Sequence, residues 1–327
     1  MRSRSVAAGA LALVCLAARA DAQWATTYAQ RYLPGDFNWE FHAHYPDAER
    51  LFYAFDFGHA VLYETLFAAP DAPPARLEER AYRYLVDTLL RHPPRLPLAE
   101  DAIEPQYAKL APEAKAMFDW AHLLHRQIYD VWSDPRLTSA EKDACVAELV
   151  RYYRSRRDLA FSTRPKDMEL MEGQPYSLAF RRRYPKFNGL IWSYHWLQVG
   201  LYDALIAGAD SATRAANVRA ATAHFWAMLE GAPARMPAMM PMTPAVAPRF
   251  TARYPEAAAI FDNLHSMHDV ISDILASPEI PRKAKRAAIL AAAARYRDDT
   301  SHVMSVAAWQ EMAASMGADH MGGAAVP

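Results

Sequence analysis

Side chains able to hold a metal ion recur in this chain at one spacing. Asp56/His59, His122/His125, His195/Gln198 and His265/His268 are four pairs of ligand-type residues, each pair three positions apart. Each pair is followed by Tyr63, Tyr129, Tyr202 or Ser272, and then directly by a carboxylate: Glu64, Asp130, Asp203 or Asp273. At about 100° per residue on a helix, the two donors and the residue after them fall within roughly 60° of arc and point the same way. The carboxylate sits about 80° to the other side, near the edge of that face.

Two donors three apart on a helix can chelate one ion, and donors from several facing helices are how bundles build metal sites in their cores. The candidate ligands are therefore Asp56, His59, His122, His125, His195, Gln198, His265 and His268. A set so rich in imidazole suits iron or copper, with zinc also compatible, and does not suit calcium or magnesium. Asp119 and Asp262 each precede a histidine by three residues, as further ligands or as acceptors for the ring nitrogen facing away from the metal. Tyr63, Tyr129 and Tyr202 share the same faces and are candidate hydrogen-bond partners of the centre, or packing residues.

The competing reading is a polar core network without a cation, since a buried histidine is commonly a hydrogen-bonded core residue. A b-type haem between two histidines is a further alternative; covalent c-type haem is excluded because no Cys-x-x-Cys-His occurs. The pattern also departs from the carboxylate-bridged di-iron bundles, because none of these segments contains Glu-x-x-His. Met236, Met239, Met240 and Met242 offer thioethers suited to Cu(I), but they lie in a Met/Pro/Ala connector. No Gly-x-Ser-x-Gly and no Walker-type loop is present, which argues against nucleophilic hydrolases and P-loop enzymes.

The elements that must position these residues repeat. Phe118-Asp119-Trp120-Ala121-His122-Leu123-Leu124-His125 returns 143 residues later (118 to 261) as Phe261-Asp262-Asn263-Leu264-His265-Ser266-Met267-His268. The same offset pairs Pro112-Glu113 with Pro255-Glu256, Lys142 with Lys285, and Tyr153-Arg154 with Tyr296-Arg297. An earlier block matches at 139 residues (45 to 184), pairing Tyr45-Pro46 with Tyr184-Pro185 and Leu62-Tyr63-Glu64 with Leu201-Tyr202-Asp203. The expected fold is all-α: a tandem duplication of a roughly four-helix unit, packed as a pseudo-two-fold bundle. Helices are predicted near 47–69, 75–91, 112–133 and 138–158, and again near 186–208, 212–230, 255–276 and 281–298, with a short one to about 315. The repeats span 23–160 and 161–305, and the Gly/Ala-rich end of the 306–327 segment reads as a loose tail.

Ahead of the repeats, Arg2, Arg4 and the apolar run Val6 to Ala18 read as a secretory signal, with cleavage expected after Ala22. Export to the periplasm or the extracellular space follows, leaving Cys145 as the one cysteine of the mature chain. A formal net charge of −1 with interspersed signs gives no footprint for nucleic acid. The apolar stretch 191–208 is interrupted by His195, Gln198 and Asp203 and reads as a buried helix, so no transmembrane segment is expected after cleavage. Taken together, the residues point to an exported His-rich metalloprotein with a single or dinuclear centre. As an enzyme it would be a metal-dependent oxidoreductase acting on a small molecule or with a redox partner. A metal or haem carrier of the cell envelope and a metal-free helical scaffold are the alternatives.

Overall fold

Proline opens each of the four long central helices, and a short helix leads into each. The protein is described here by a computed structural model covering residues 39–68, 72–97 and 100–327; the expected signal segment lies outside them. In chain order the helices are α1 (Trp39–His44), α2 (Pro46–Ala68), α3 (Pro74–Arg83, continued by a π-helical turn), α4 (Pro105–Leu110), α5 (Pro112–Ser133) and α6 (Ser139–Ser155). After them come α7 (Glu169–Glu172), α8 (Ala179–Arg183), α9 (Pro185–Ala207), α10 (Ser211–Glu230) and α11 (Thr243–Val246). The chain closes with α12 (Pro248–Arg253), α13 (Pro255–Ala276), α14 (Arg282–Arg297) and α15 (Val306–Met316). Among the described residues there is no strand, only one bridge between Lys166 and Val303, and no helix is long and apolar enough to cross a membrane.

The long helices start where they do for a local reason. Proline at the first turn has no N–H to leave unsatisfied and its φ is already helical; Pro112, Pro185 and Pro255 all take that position. The orphan N–H groups of the preceding short helices are satisfied from a distance, by the carboxylates at the far ends of the long ones. Asp130 of α5 accepts from Glu40 and Phe41 N, both at 3.0 Å, at the head of α1. Glu64 of α2 accepts from Gln106 N at 3.0 Å and Tyr107 N at 3.3 Å, at the head of α4. Asp273 of α13 accepts from Leu178 N at 2.8 Å and Phe180 N at 2.7 Å, at the head of α8. Asp203 of α9 accepts from Phe250 N at 2.8 Å and Arg249 N at 3.3 Å, at the head of α12. Each exchange ties the end of one long helix to the start of another, so α2 with α5 and α9 with α13 form antiparallel pairs.

Burial separates the pairs. Every residue from Phe187 to Leu205 in α9 and from Ala257 to Ala276 in α13 is buried, the mark of a helix surrounded on all sides. In α2 and α5 the buried set is broken by partly exposed positions such as Phe57, Val61, Leu123 and Gln127, so these helices keep one face outward. Helices α6 and α14 fold back on α5 and α13, where buried Lys142 donates to Trp132 O at 2.9 Å and Lys285 donates to Ile274 O at 2.6 Å and Leu275 O at 3.0 Å. These ammonium groups occupy the orphan carbonyls at the helix ends.

The end of the chain differs from its expected looseness. Met321 is fully buried, Ala325 N donates to Val246 O at 3.0 Å, and Trp196 Nε1 donates to Gly323 O at 2.8 Å. The glycines there serve close approach: Gly322 has φ +94°, and a Cβ on it would stand 2.6 Å from Trp196 Cδ1. The composition that reads as a flexible tail is what lets the backbone lie against an indole.

Candidate metal centre

The four long helices bring six imidazoles into one buried cluster. His59 comes from α2, His122 and His125 from α5, His195 from α9, and His265 and His268 from α13, all 6% exposed or less. Ring centroids link them in a chain: His122 to His59 at 6.4 Å, His59 to His268 at 4.7 Å, His268 to His195 at 5.1 Å, His195 to His265 at 4.1 Å, and His265 to His125 at 6.4 Å. At the middle, one ring nitrogen each of His59, His195 and His268, from three different helices, lie within 4.8 Å of one another. His59 Nε2 and His195 Nε2 are 3.1 Å apart. Two imidazole nitrogens on one ion at about 2.0–2.1 Å stand about 2.9–3.4 Å from each other, so this pair already has the spacing of shared ligation.

The outward-facing nitrogens set the tautomers. His59 Nδ1 lies 2.7 Å from Phe55 O, and a carbonyl only accepts, so the proton is on Nδ1 and the Nε2 lone pair turns inward. His268 Nδ1 lies 2.6 Å from the Tyr63 hydroxyl, and the Ser272 hydroxyl donates to His268 O at 2.8 Å. With Nδ1–H donating to Tyr63, Nε2 is the bare nitrogen. His125 repeats it: Nδ1 is 2.7 Å from the Tyr202 hydroxyl, whose proton goes to His125 O at 3.2 Å. Tyr63 and Tyr202 are paired by the 139-residue offset and His125 and His268 by the 143-residue offset, so the same contact is made twice, crosswise between the helix pairs.

Burial holds these imidazoles neutral. It is the largest cause of the lowered pKa of all six, and repulsion from neighbouring imidazoles adds to it for five of them. His265 falls to about 3. In His59 the Phe55 hydrogen bond works against burial without reversing the shift. The cluster is therefore a set of lone pairs facing each other with few protons between them. His122 Nε2, His125 Nε2, His268 Nε2, His195 Nδ1, both nitrogens of His265 and both amide atoms of Gln198 are buried with no hydrogen-bond partner. At roughly 1–3 kcal/mol for each unsatisfied group, their combined cost rivals the whole stability of a domain, about 5–15 kcal/mol. A cavity at one side of this set, lined by His59, His122 and His268 among others, measures about 10 Å³, the space of one water at most.

The remaining candidates are placed elsewhere. Asp56 is buried and ion-paired with Arg126 of α5, and burial raises its pKa to about 7 despite that guanidinium. Asp119 pairs with Lys115 at 2.9 Å, and Asp262 accepts from Thr243 N at 2.9 Å and Trp309 Nε1 at 2.9 Å, so both are engaged away from the histidines. Tyr129 donates to Gln198 O rather than to an imidazole. Met240 is buried beside Ser266, 3.3 Å from its hydroxyl. A surface groove of about 660 Å³ between α6 and the start of α13 is lined by Arg151, Arg154, Arg253 and Tyr254 and does not touch the cluster.

Sequence reasoning missed Arg126 and the group Glu100, Glu104, Tyr107 and Lys115, four residues that line the same cavity as the imidazoles. A signal for that group was present: at the 143-residue offset their counterparts Thr243, Ala247, Phe250 and Ala258 are all uncharged. No protein-family model matches the chain, and no curated protein or solved structure matches it.

Proposed function

We propose that this chain is an exported helical metalloprotein, built from two copies of one helical unit, whose shared His-rich centre holds iron or copper for redox or oxygen chemistry. The observation that carries the reading is the convergence of one ring nitrogen each of His59, His195 and His268 from three helices, with His195 Nδ1 and His268 Nε2 left without a hydrogen-bond partner. A cation satisfies these groups together, whereas a hydrogen-bond network leaves most of them unpaired. His122 beside His268, His265 beside His195, and His125 beside His265 are available to a second ion, as is Gln198, whose amide atoms have no partner and which lies three residues after His195 on α9. Tyr63, Tyr202 and the Phe55 carbonyl hold the rings in the ligating tautomer, the role outer partners play at metal sites. The bound ion supplies electron transfer or Lewis acidity; the chain supplies geometry and a dry pocket.

The one-water cavity beside His122 and His268 supports an open coordination position, which favours catalysis over carriage. It also favours an ion over haem, since sites for ligands of that size run to about 300 Å³ or more. The crosswise Tyr63–His268 and Tyr202–His125 contacts, and the four reciprocal carboxylate caps, are what a duplicated unit closing about a pseudo-two-fold axis produces.

Elemental analysis and an absorption spectrum of the protein purified from its native compartment test the proposal. Stoichiometric iron or copper without a Soret band is expected. A Soret band or a colourless, metal-free, folded protein overturns it, and stoichiometric zinc overturns the redox assignment. His268→Ala should lose the metal, while Asp119→Ala, whose carboxylate faces Lys115, should keep it.

A further inference from the structure

The two faces of the histidine cluster are built from equivalent stretches of chain with unlike chemistry. On one face, residues 100–119 place Glu100, Glu104, Tyr107 and Lys115 around the cavity that also touches His122 and His268. On the other, the residues 143 positions later are Thr243, Ala247, Phe250 and Ala258, all fully buried. There Thr243 is held to Asp262 by two hydrogen bonds at 2.9 and 2.6 Å, and Trp309 closes over the same carboxylate.

The polar face carries a graded file of carboxylates around one ammonium. Lys115 Nζ lies 3.4 Å from Asp101, 2.9 Å from Glu100, 2.9 Å from Asp119 and 3.6 Å from Glu104. Side-chain exposure drops along the file from 72% at Asp101 to 21% at Glu100 and 3% at Glu104. At the inner end, Glu104 Oε2 and the Tyr107 hydroxyl are buried with no hydrogen-bond partner and line the cavity shared with the imidazoles. Carboxylate oxygen suits a cation still carrying its water, and imidazole suits the same transition metal once that water is shed. Glu100, Asp101 and Asp119 outweigh one ammonium, so the file attracts cations that the apolar face does not; burial pushes Glu104 up to about 9, so its proton leaves as a cation takes its place.

We infer that the metal reaches the centre through this face alone: a divalent transition-metal cation passes from Asp101 and Glu100 to Glu104 and then to the His122/His268 side of the cluster, displacing the Lys115 ammonium as it enters. The inference rests on the metal reading of the cluster and adds a route and a gate to it. Glu104 acts before binding is complete, so it governs the rate of loading rather than the number of ions held.

The test is Co²⁺ uptake by the metal-free full-length protein, followed through the absorption of the nitrogen-ligated ion. Glu104→Gln should fill to the same stoichiometry roughly tenfold more slowly, and Lys115→Gln should fill faster. Glu113→Gln, a surface carboxylate paired with Arg286, should match the wild type. Added salt should slow the wild type, a measurement that stands even if a variant fails to fold. A Glu104→Gln protein that loads at the wild-type rate, or a wild-type rate indifferent to salt, overturns the inlet and leaves the metal centre standing. A wild type that binds no Co²⁺ overturns the metal centre itself, and the inlet with it.

Discussion

The pair α9/α13 and the pair α2/α5 present closely matched chemistry from unlike surroundings. Both supply imidazoles three residues apart, a tyrosine that reaches across to the other pair, and carboxylates that cap short helices. Yet α9 and α13 are buried on every side, while α2 and α5 show one face to the exterior. A cluster whose imidazoles recur but whose surroundings do not can be closed on one side and approachable on the other. The imidazole positions differ in the same sense: His59, on the less buried side, is matched by Gln198 at the 139-residue offset. Placing equivalent groups in unequal burial also makes equivalent mutations unequal in cost.

The carboxylate caps give the largest expected difference. Asp273 is 1% exposed, and its loss strands the Leu178 and Phe180 N–H groups in a dry environment. Asp273→Ala should cost about 3 kcal/mol of unfolding free energy, since each abandoned buried donor costs roughly 1–3 kcal/mol. Glu64 makes the corresponding contacts near the surface, where water replaces it, and Glu64→Ala should cost about 1 kcal/mol. Urea denaturation of the metal-free variants measures both. Equal costs would mean that the two pairs are energetically equivalent and that the burial contrast has no weight.

How much of this is legible in the sequence follows from the range of each interaction. The long helices are local affairs of proline, capping and periodicity, and the predicted segments near 112–133 and 255–276 coincide with α5 and α13. The imidazole faces are equally local, because donors three apart must share a side of a helix. What Glu64, Asp130, Asp203 and Asp273 do is not local: their backbone partners lie 42 to 95 residues away, and nothing at their own positions names them. Asp119 and Asp262 show the same limit from the other side. Their spacing to a histidine suggests a ring partner, but Lys115 and Thr243 hold them instead. The carboxylates around Lys115 stand out only when residues 100–119 are set against those 143 positions later, where the charges are absent.

A smaller effect lies in the closed side's dependence on pH. His265 is fully buried, and burial lowers its pKa from 6.5 to about 3. The unfolded chain therefore takes up a proton at this residue below about pH 6.5 while the folded chain does not, so its contribution to stability is intact above that pH and declines as the pH falls toward 3. Between pH 6.5 and 5 the loss is roughly 2 kcal/mol. Buried carboxylates such as Asp262, raised by burial to about 7, run the other way, gaining stability as the pH falls through the same interval. The clean measurement is the difference between metal-free wild type and His265→Gln, in which those carboxylates cancel. A pH-independent difference would mean that His265 titrates alike in the folded and the unfolded chain.

The smallest effect separates the closed face from the tail that lies outside it. Gly322→Ala forces a side chain into a φ of +94° and within 2.6 Å of the Trp196 ring, so the turn must lift and the Gly323–Trp196 hydrogen bond must break. The turn is at the periphery of the fold, and its displacement should lower stability by about 1 kcal/mol, readable as a small shift in Tm and in tryptophan emission. Loading with Co²⁺ should not change, because Thr243, Asp262 and Trp309 still seal that side beneath the tail. If loading instead accelerates and becomes insensitive to Glu104→Gln, the tail is the true seal, and the second face is an inlet held shut from outside rather than one closed by its own packing.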